Sequence, residues 1–385
     1  MAAGSHVCAI LDDDTVRCWG GNQRGQLGNP QVTNLPDGGY AFDDRTVTRP
    51  QIASVGKVTQ ISTGGMSTCA LLPDAQVHCW GDDLGGELGR GDAGAQDRQR
   101  PHPEHGPVTA LGAAEQVALK GGLVAAIRGG HLYAWGPNEY YYDFRGTNPN
   151  PWLRSPVEIP IPTGRSAKQL ALGSDHGCVV LDDATLACWG TNSEGQLGTP
   201  LVPVPERKWW KSSKATTVPS LSGVAEVAAG DGTTCVRMVS GQVQCFGGNR
   251  YGLRGRGMAP DASAPDPETD RIPAPIVGLP IGVEVAQVAM GWQHACVLLA
   301  DGTVWCWGNS SYGELGKPGT RGSDKPVKVE GLPKPATYVI TGDRVTCALL
   351  SDRSVMCWGD NRSGALGQGT TDEERHDQPV QVHFP

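Results

Sequence analysis

Residues 296–316 read CVLLADGTVWCWGNSSYGELG. Asp301-Gly302 is a turn signal, and the runs on either side suit strands. The stretch therefore predicts a hairpin, with strands over 296–299 and 303–307. Just upstream, VAQVAMG at 285–291 alternates and ends on Gly, which predicts a third strand. With a loop at Ala300 to Gly302, Cys296 faces Cys306. Cross-strand partners on one face have Cβ atoms about 4.5–5.5 Å apart, close to disulfide geometry. A spacing of ten is thus what a staple across the hairpin requires.

The same pattern recurs through the chain. Residues 69–89 read CALLPDAQVHCWGDDLGGELG, 178–198 read CVVLDDATLACWGTNSEGQLG and 347–367 read CALLSDRSVMCWGDNRSGALG. Residues 8–28 and 235–255 follow it, with Phe246 in place of the usual Trp. The twelve cysteines form six pairs ten apart: Cys8/Cys18, Cys69/Cys79, Cys178/Cys188, Cys235/Cys245, Cys296/Cys306 and Cys347/Cys357. An even count at fixed spacing reads as a disulfide framework made in an oxidising compartment. A seventh copy lies at 124–135, VAAIRGGHLYAW, with Val124 and Ala134 at the cysteine positions.

The landmarks Trp19, Trp80, Trp135, Trp189, Phe246, Trp307 and Trp358 are 61, 55, 54, 57, 61 and 51 residues apart. Seven such units account for nearly all 385 residues as one domain spanning 1–385. Each also carries a Pro and β-branched segment after its loop, as at Pro107-Val108, Val218-Pro219, Pro326-Val327 and Pro379-Val380. Glycine at 54 and proline at 29 residues disfavour a helical bundle and suit short strands joined by turns. Apolar runs of about five residues are too short to span a membrane. A net charge of −8 argues against phosphate-driven nucleic-acid binding.

Short four-stranded units repeated around an axis make a β-propeller. The recurring Cys-Trp-Gly-x-Asn-x-x-Gly-x-Leu-Gly signature resembles the repeat of the regulator of chromosome condensation family. The resemblance covers all seven units and implies an all-β, seven-bladed propeller with four-stranded antiparallel blades. The third unit departs from it: both cysteines are missing, and Tyr140-Tyr141-Tyr142-Asp143-Phe144-Arg145-Gly146 replaces the Gly-x-Leu-Gly end. At the termini, Met1 to Gly4 reads as an inner strand, and Pro379 to Val382 is expected to complete the first blade and close the ring. No charged-then-apolar leader opens the sequence, so a signal peptide is expected to have been removed upstream.

Function is expected in the loops, where the units differ. The loop of unit three holds Tyr140, Tyr141, Tyr142, Phe144 and Trp152. That of unit four holds Trp209 and Trp210 flanked by Lys208 and Lys211. That of unit five, 256–271, is acidic and proline-rich. Aromatics beside Arg and Lys are the residue types of binding hot spots. Other candidates read as scaffold. The acidic runs Asp12-Asp13-Asp14 and Asp182-Asp183 fall on hairpin turns. His6, His176 and His294, each two residues before a cysteine, point to a role in the repeat lattice. His102-Pro103-Glu104-His105 reads as a solvated loop rather than a metal site.

No Gly-x-Ser-x-Gly, phosphate loop or dinucleotide fingerprint occurs, and neither a metal nor a cofactor is expected. The resemblance implies several activities: nucleotide exchange on a small GTPase, ultraviolet perception, or secreted inhibition of β-lactamases. Paired cysteines favour the last class. The expectation is a secreted, periplasmic or cell-surface monomer, non-catalytic, gripping an extracellular protein or glycan through the loops of blades three to five. A catalytic site in the central funnel and a carbohydrate-binding face are the alternatives.

Overall fold

The computed structural model describes residues 1–28, 32–34, 40–42, 51–53, 55–91, 101–137, 152–199, 211–257 and 272–384. Seven four-stranded antiparallel sheets follow one another along the chain. In the sixth, Val285–Met290, His294–Leu299, Val304–Asn309 and Gly322–Lys328 pair in that order. The first strand of each blade packs against the first strands of its neighbours, so seven inner strands form a ring about an axis. The chain is a seven-bladed β-propeller.

Glycine at the end of the inner strand lets neighbouring blades approach closely. A Cβ on Gly291 would lie 2.4 Å from the Gly342 carbonyl oxygen, and one on Gly342 would lie 2.7 Å from that of Gly4. In that space backbone bonds step from blade to blade. Ser174 N–H donates to Gly230 O (3.1 Å), Asp231 N–H to Trp292 O (3.3 Å), Trp292 N–H to Gly342 O (3.2 Å) and Asp343 N–H to Gly4 O (3.3 Å).

Ring closure differs from the sequence expectation. The C-terminal strand Arg375–Gln381 pairs with Val355–Asp360 and completes the seventh blade, not the first. The outer strand of the first blade is Gln51–Ile52, paired to Cys18 and Arg17. The Pro and β-branched segment therefore belongs to the unit it follows, in the first blade as in the others. The ring closes instead by packing and by two bonds between blades seven and one, Asp343 N–H to Gly4 O and Trp19 Nε1 to Ala365 O. Val382 is buried in one cluster with Val7 and Trp19, and Phe384 sets its ring edge-on to Trp19 at 5.8 Å.

Six disulfides staple the second strand of a blade to its third. They are Cys8–Cys18, Cys69–Cys79, Cys178–Cys188, Cys235–Cys245, Cys296–Cys306 and Cys347–Cys357, the pairs that the spacing of ten predicts. Each joins directly opposed residues with Cα atoms 4.0–4.1 Å apart. The outer neighbours of the third-strand cysteines are less uniform than the Pro-Val landmarks suggest. Cys306 and Cys357 oppose Val327 and Val380, the valines of those landmarks. Cys79 instead opposes Gly106, one residue before Pro107-Val108, and Cys188 opposes Thr216, two residues before Val218.

In the third blade the opposed pair is Ala125 and Ala134, so Ala125 and not Val124 holds the cysteine position. The hairpin there turns through Gly129 and Gly130 alone, between Arg128 and His131, with φ of 58° and 76°. That two-residue turn is shorter than the others, and the register moves by one. Other hairpins use an Asx turn: the carboxylate of Asp13 accepts from Thr15 N–H and Oγ1, and Asp183, Asp301 and Asp352 do likewise. The acidic runs are turn chemistry.

The Trp landmarks are wedged between blades. Trp19, Trp80, Trp135, Trp189, Trp307 and Trp358 are fully buried. Trp80 Nε1 donates to Gln26 O in the preceding blade at 2.9 Å, and Trp19, Trp135, Trp307 and Trp358 repeat the bond. For Trp189 the equivalent acceptor would fall within 138–151, outside the described residues. The histidines belong to the same lattice. His6, His176 and His294 bond through Nε2 to Thr68, Thr234 and Thr346 of the next blade at 2.6–2.8 Å. Burial pushes His6 and His294 down to about 3, so both are neutral.

In four units the residue between Gly and Leu in the signature caps its own loop. Gln26 and Gln196 accept from the backbone N–H two residues before them. Glu87 and Glu314 do the same with a carboxyl, at 2.7 and 2.9 Å. Burial raises Glu87 to about 8 and Glu314 to about 7. A carboxyl raised in the folded state contributes stability below its unfolded value of 4.5, and loses it as pH rises through the folded value. Glu87→Gln, which copies Gln26, should therefore melt like the parent at pH 4. It should be more stable at pH 9, by on the order of 2–4 kcal/mol. Melting curves across pH test this; parallel profiles for the two proteins would contradict it.

Candidate functional site

Antiparallel order sends two kinds of loop to one face. The loop from inner to second strand and the loop from third to fourth strand both emerge there, while the hairpin turns occupy the other face. The variable segments of blades three to five leave from third strands ending at Pro137, Thr191 and Gly247, so they start on this axial face. Tyr140, Tyr141, Tyr142, Phe144, Lys208, Trp209 and Trp210 lie outside the described residues, as does most of the loop of blade five. Lys211 opens the long outer strand Lys211–Ser222 of blade four. Trp152 starts the outer strand Trp152–Ile159 opposite Pro137, is 38% exposed, and has the Arg154 guanidinium 5.6 Å above its ring. His102 and His105 lie in a strand, His102–Pro107, rather than an unstructured loop. His105 stacks on His78, with the two Nδ1 atoms 2.8 Å apart. The cysteines offer nothing to a ligand: Cys79 and Cys188, like the other ten, are fully buried and bridged.

The axial loops carry further side chains, on blades two and five to seven, that no linear motif revealed. Met66, Leu84 and Tyr251 are exposed there. On blades six and seven, Arg344 stacks over Trp292 at 5.7 Å and over Tyr312 at 5.0 Å. Arg362 lies over the same Tyr312 at 4.5 Å. Both guanidiniums share the Asp360 carboxylate, Arg362 at 2.6 Å and Arg344 at 3.9 Å. Aromatic rings between two cations, held by one carboxylate, make a preordered patch.

The patch borders an axial cavity of about 650 Å3. Lys120, at the end of the third inner strand, crosses the axis and donates to Met290 O of blade six at 3.0 Å. Burial lowers its pKa, opposed by Asp343 and Asp231. Burial raises Asp343 against the pull of Lys120 and Arg344, and it raises Asp231 with help from Asp175. Among the described residues no cluster of three or more His, Cys, Asp or Glu side chains could hold a metal.

This propeller, with its signature wedged between blades, defines a class. Residues 36–385 match the family described as the RCC1-like domain, and residues 4–26 match the regulator of chromosome condensation repeat. The chain belongs to the RCC1-like family. It is 31% identical over 339 residues to the ultraviolet-B receptor UVR8 of Arabidopsis thaliana, covering 86% of this chain and 70% of that one. It is 28% identical to the human E3 ubiquitin-protein ligase HERC2 over 93% of this chain, but spans only 7% of HERC2. The crystal structure of Prp20p from Saccharomyces cerevisiae superposes with a TM-score of 0.81 at 21% identity, covering 98% of this chain and 87% of that one.

Proposed function

We propose that residues 1–385 form one secreted, periplasmic or cell-surface propeller that recognises a protein partner through its axial face, without catalysis and as a monomer. The observation that carries this reading is the axial patch. In it Trp292 and Tyr312 stand beside Arg344 and Arg362, and elsewhere on the same face Met66, Leu84 and Tyr251 are exposed. Exposed apolar groups and aromatics beside Arg are the anatomy of hot spots. Family members support protein recognition: the Prp20p structure is titled with its binding properties to Gsp1p and histones, and UVR8 is named a receptor. Six disulfides support the oxidising compartment. The variable loops of blades three to five leave from the same face, so Trp209, Trp210 and the Tyr140–Phe144 segment are assigned to the same interface.

The test is affinity. Tyr312→Ala combined with Arg362→Ala should leave circular dichroism unchanged and weaken binding to a captured partner by about 2 kcal/mol or more, roughly 30-fold. An unchanged dissociation constant would contradict the assignment.

A further inference from the structure

The axial cavity has the size and furnishing of a small-molecule site. Such sites run from about 300 to 1,000 Å3 and bring a few polar groups together on an otherwise apolar wall. This one measures about 650 Å3. The Lys120 side chain, fixed on Met290 O, lies across the axis beneath it. Trp292, Val345 and Ala365 supply apolar wall.

Its charges are set out unevenly. The Asp343 carboxylate has no hydrogen bond and no ion pair within 4.0 Å among the described residues, although Asp343 lines the cavity. A desolvated carboxylate without donors favours any ligand that brings them. Next in the chain, Arg344 makes no side-chain hydrogen bond among the described residues. It reaches Asp360 only at 3.9 Å, because Arg362 holds that carboxylate at 2.6 Å. Two guanidiniums share one carboxylate, so this side of the wall keeps one positive charge to spare. Lys120 faces Asp231 as well as Asp343, which balances the floor. The cavity as a whole is close to neutral, with an unsatisfied acceptor beside an under-used cation. That wall complements a ligand that is itself neutral overall but carries both charges.

We propose that the axial cavity binds a free α-amino acid, its ammonium on Asp343, its carboxylate on Arg344 and its side chain against Trp292. The site shares Trp292 and Arg344 with the face proposed above, but its ligand is a free amino acid, so binding measured without a protein partner tests it separately.

Calorimetry with the free L-amino acids, and with the N-acetyl and carboxamide forms of the tightest binder, tests it. At least one amino acid should bind with a dissociation constant below about 1 mM. Blocking either charged end should weaken it at least about tenfold, and Asp343→Asn, which removes a charge but no contact, should do the same. Arg344→Gln serves as a second variant should Asp343→Asn alter the melting temperature. The proposal is overturned if no amino acid binds up to about 10 mM, if the N-acetyl or carboxamide form binds as well as the free acid, or if affinity survives in both variants.

Discussion

Full reduction of the six disulfides is expected to unfold the protein at about 37 °C. Each bridge spans a sequence separation of 10. The chain-entropy relation gives about 2.5–3 kcal/mol for such a loop, so six together come to about 15–18 kcal/mol. Net stabilities of folded domains lie in the range of about 5–15 kcal/mol. Removing one bridge is a different matter. The third blade already folds with Ala125 opposite Ala134, so its Trp135 wedge, bonded to Glu87 O, and its buried apolar packing carry an unbridged blade. Cys235→Ala with Cys245→Ala should therefore fold and lose only about 2–3 kcal/mol. Far-ultraviolet circular dichroism and melting with and without reductant decide this. A fully reduced protein that melts within a few degrees of the oxidised one would contradict it.

Deleting residues 375–385 should be nearly as damaging, and the damage should appear in a particular blade. The deletion removes the fourth strand of the seventh blade, leaving Val355–Asp360 as an open edge. It also removes Val382 and Phe384 from their packing on Trp19. An open edge strand invites association between chains, so a fall in melting temperature of more than about 10 °C, or aggregation, is expected. Amide exchange separates this topology from the one in which the C-terminal strand completes the first blade. Protection should be lost chiefly at Val355–Asp360, while Val16–Gly20 keeps its ladder to Gln51–Ile52. Loss centred on Val16–Gly20 would contradict the strand order.

Much of this architecture is legible in the sequence because the repeat states it many times. The aromatic-Gly landmarks recur at intervals of 51 to 61 residues, six of the seven units add the cysteine spacing of ten, and both report local hairpin geometry. What the sequence conceals is non-local or depends on a residue or two of register. Val124 sits ten before Ala134, as a cysteine would, but Gly129-Gly130 turns the hairpin one residue sooner and brings Ala125 opposite. The outer partners of Cys79 and Cys188 are displaced from the Pro-Val landmark by one and two residues, a slip that leaves no mark in the repeat. Pro379-Val380 looks the same whether it completes the blade before it or the one after it; only the pairing with Cys357 settles which. The axial cluster is hidden for another reason. Lys120, Trp292, and Asp343 with Arg362 come from blades three, six and seven, far apart in the chain, and each looks ordinary in its own stretch. The usable signal is the residue following the inner-strand glycine, which aligns as Ser5, Gly65, Ser174, Asp231, Trp292 and Asp343. That position varies while its surroundings repeat.

The recognition face itself is tested most directly by amide hydrogen exchange on the protein with and without a partner captured from the extracellular fraction of its source. The account predicts slowed exchange in the axial loops, at 64–67, 291–294, 309–314, 342–345 and 360–365 and in the variable segments of blades three to five. The hairpin turns at 11–15, 182–185 and 300–303 should exchange as in the free protein. Protection confined to those turns, or to the outer strands, with the axial loops unchanged, would contradict it.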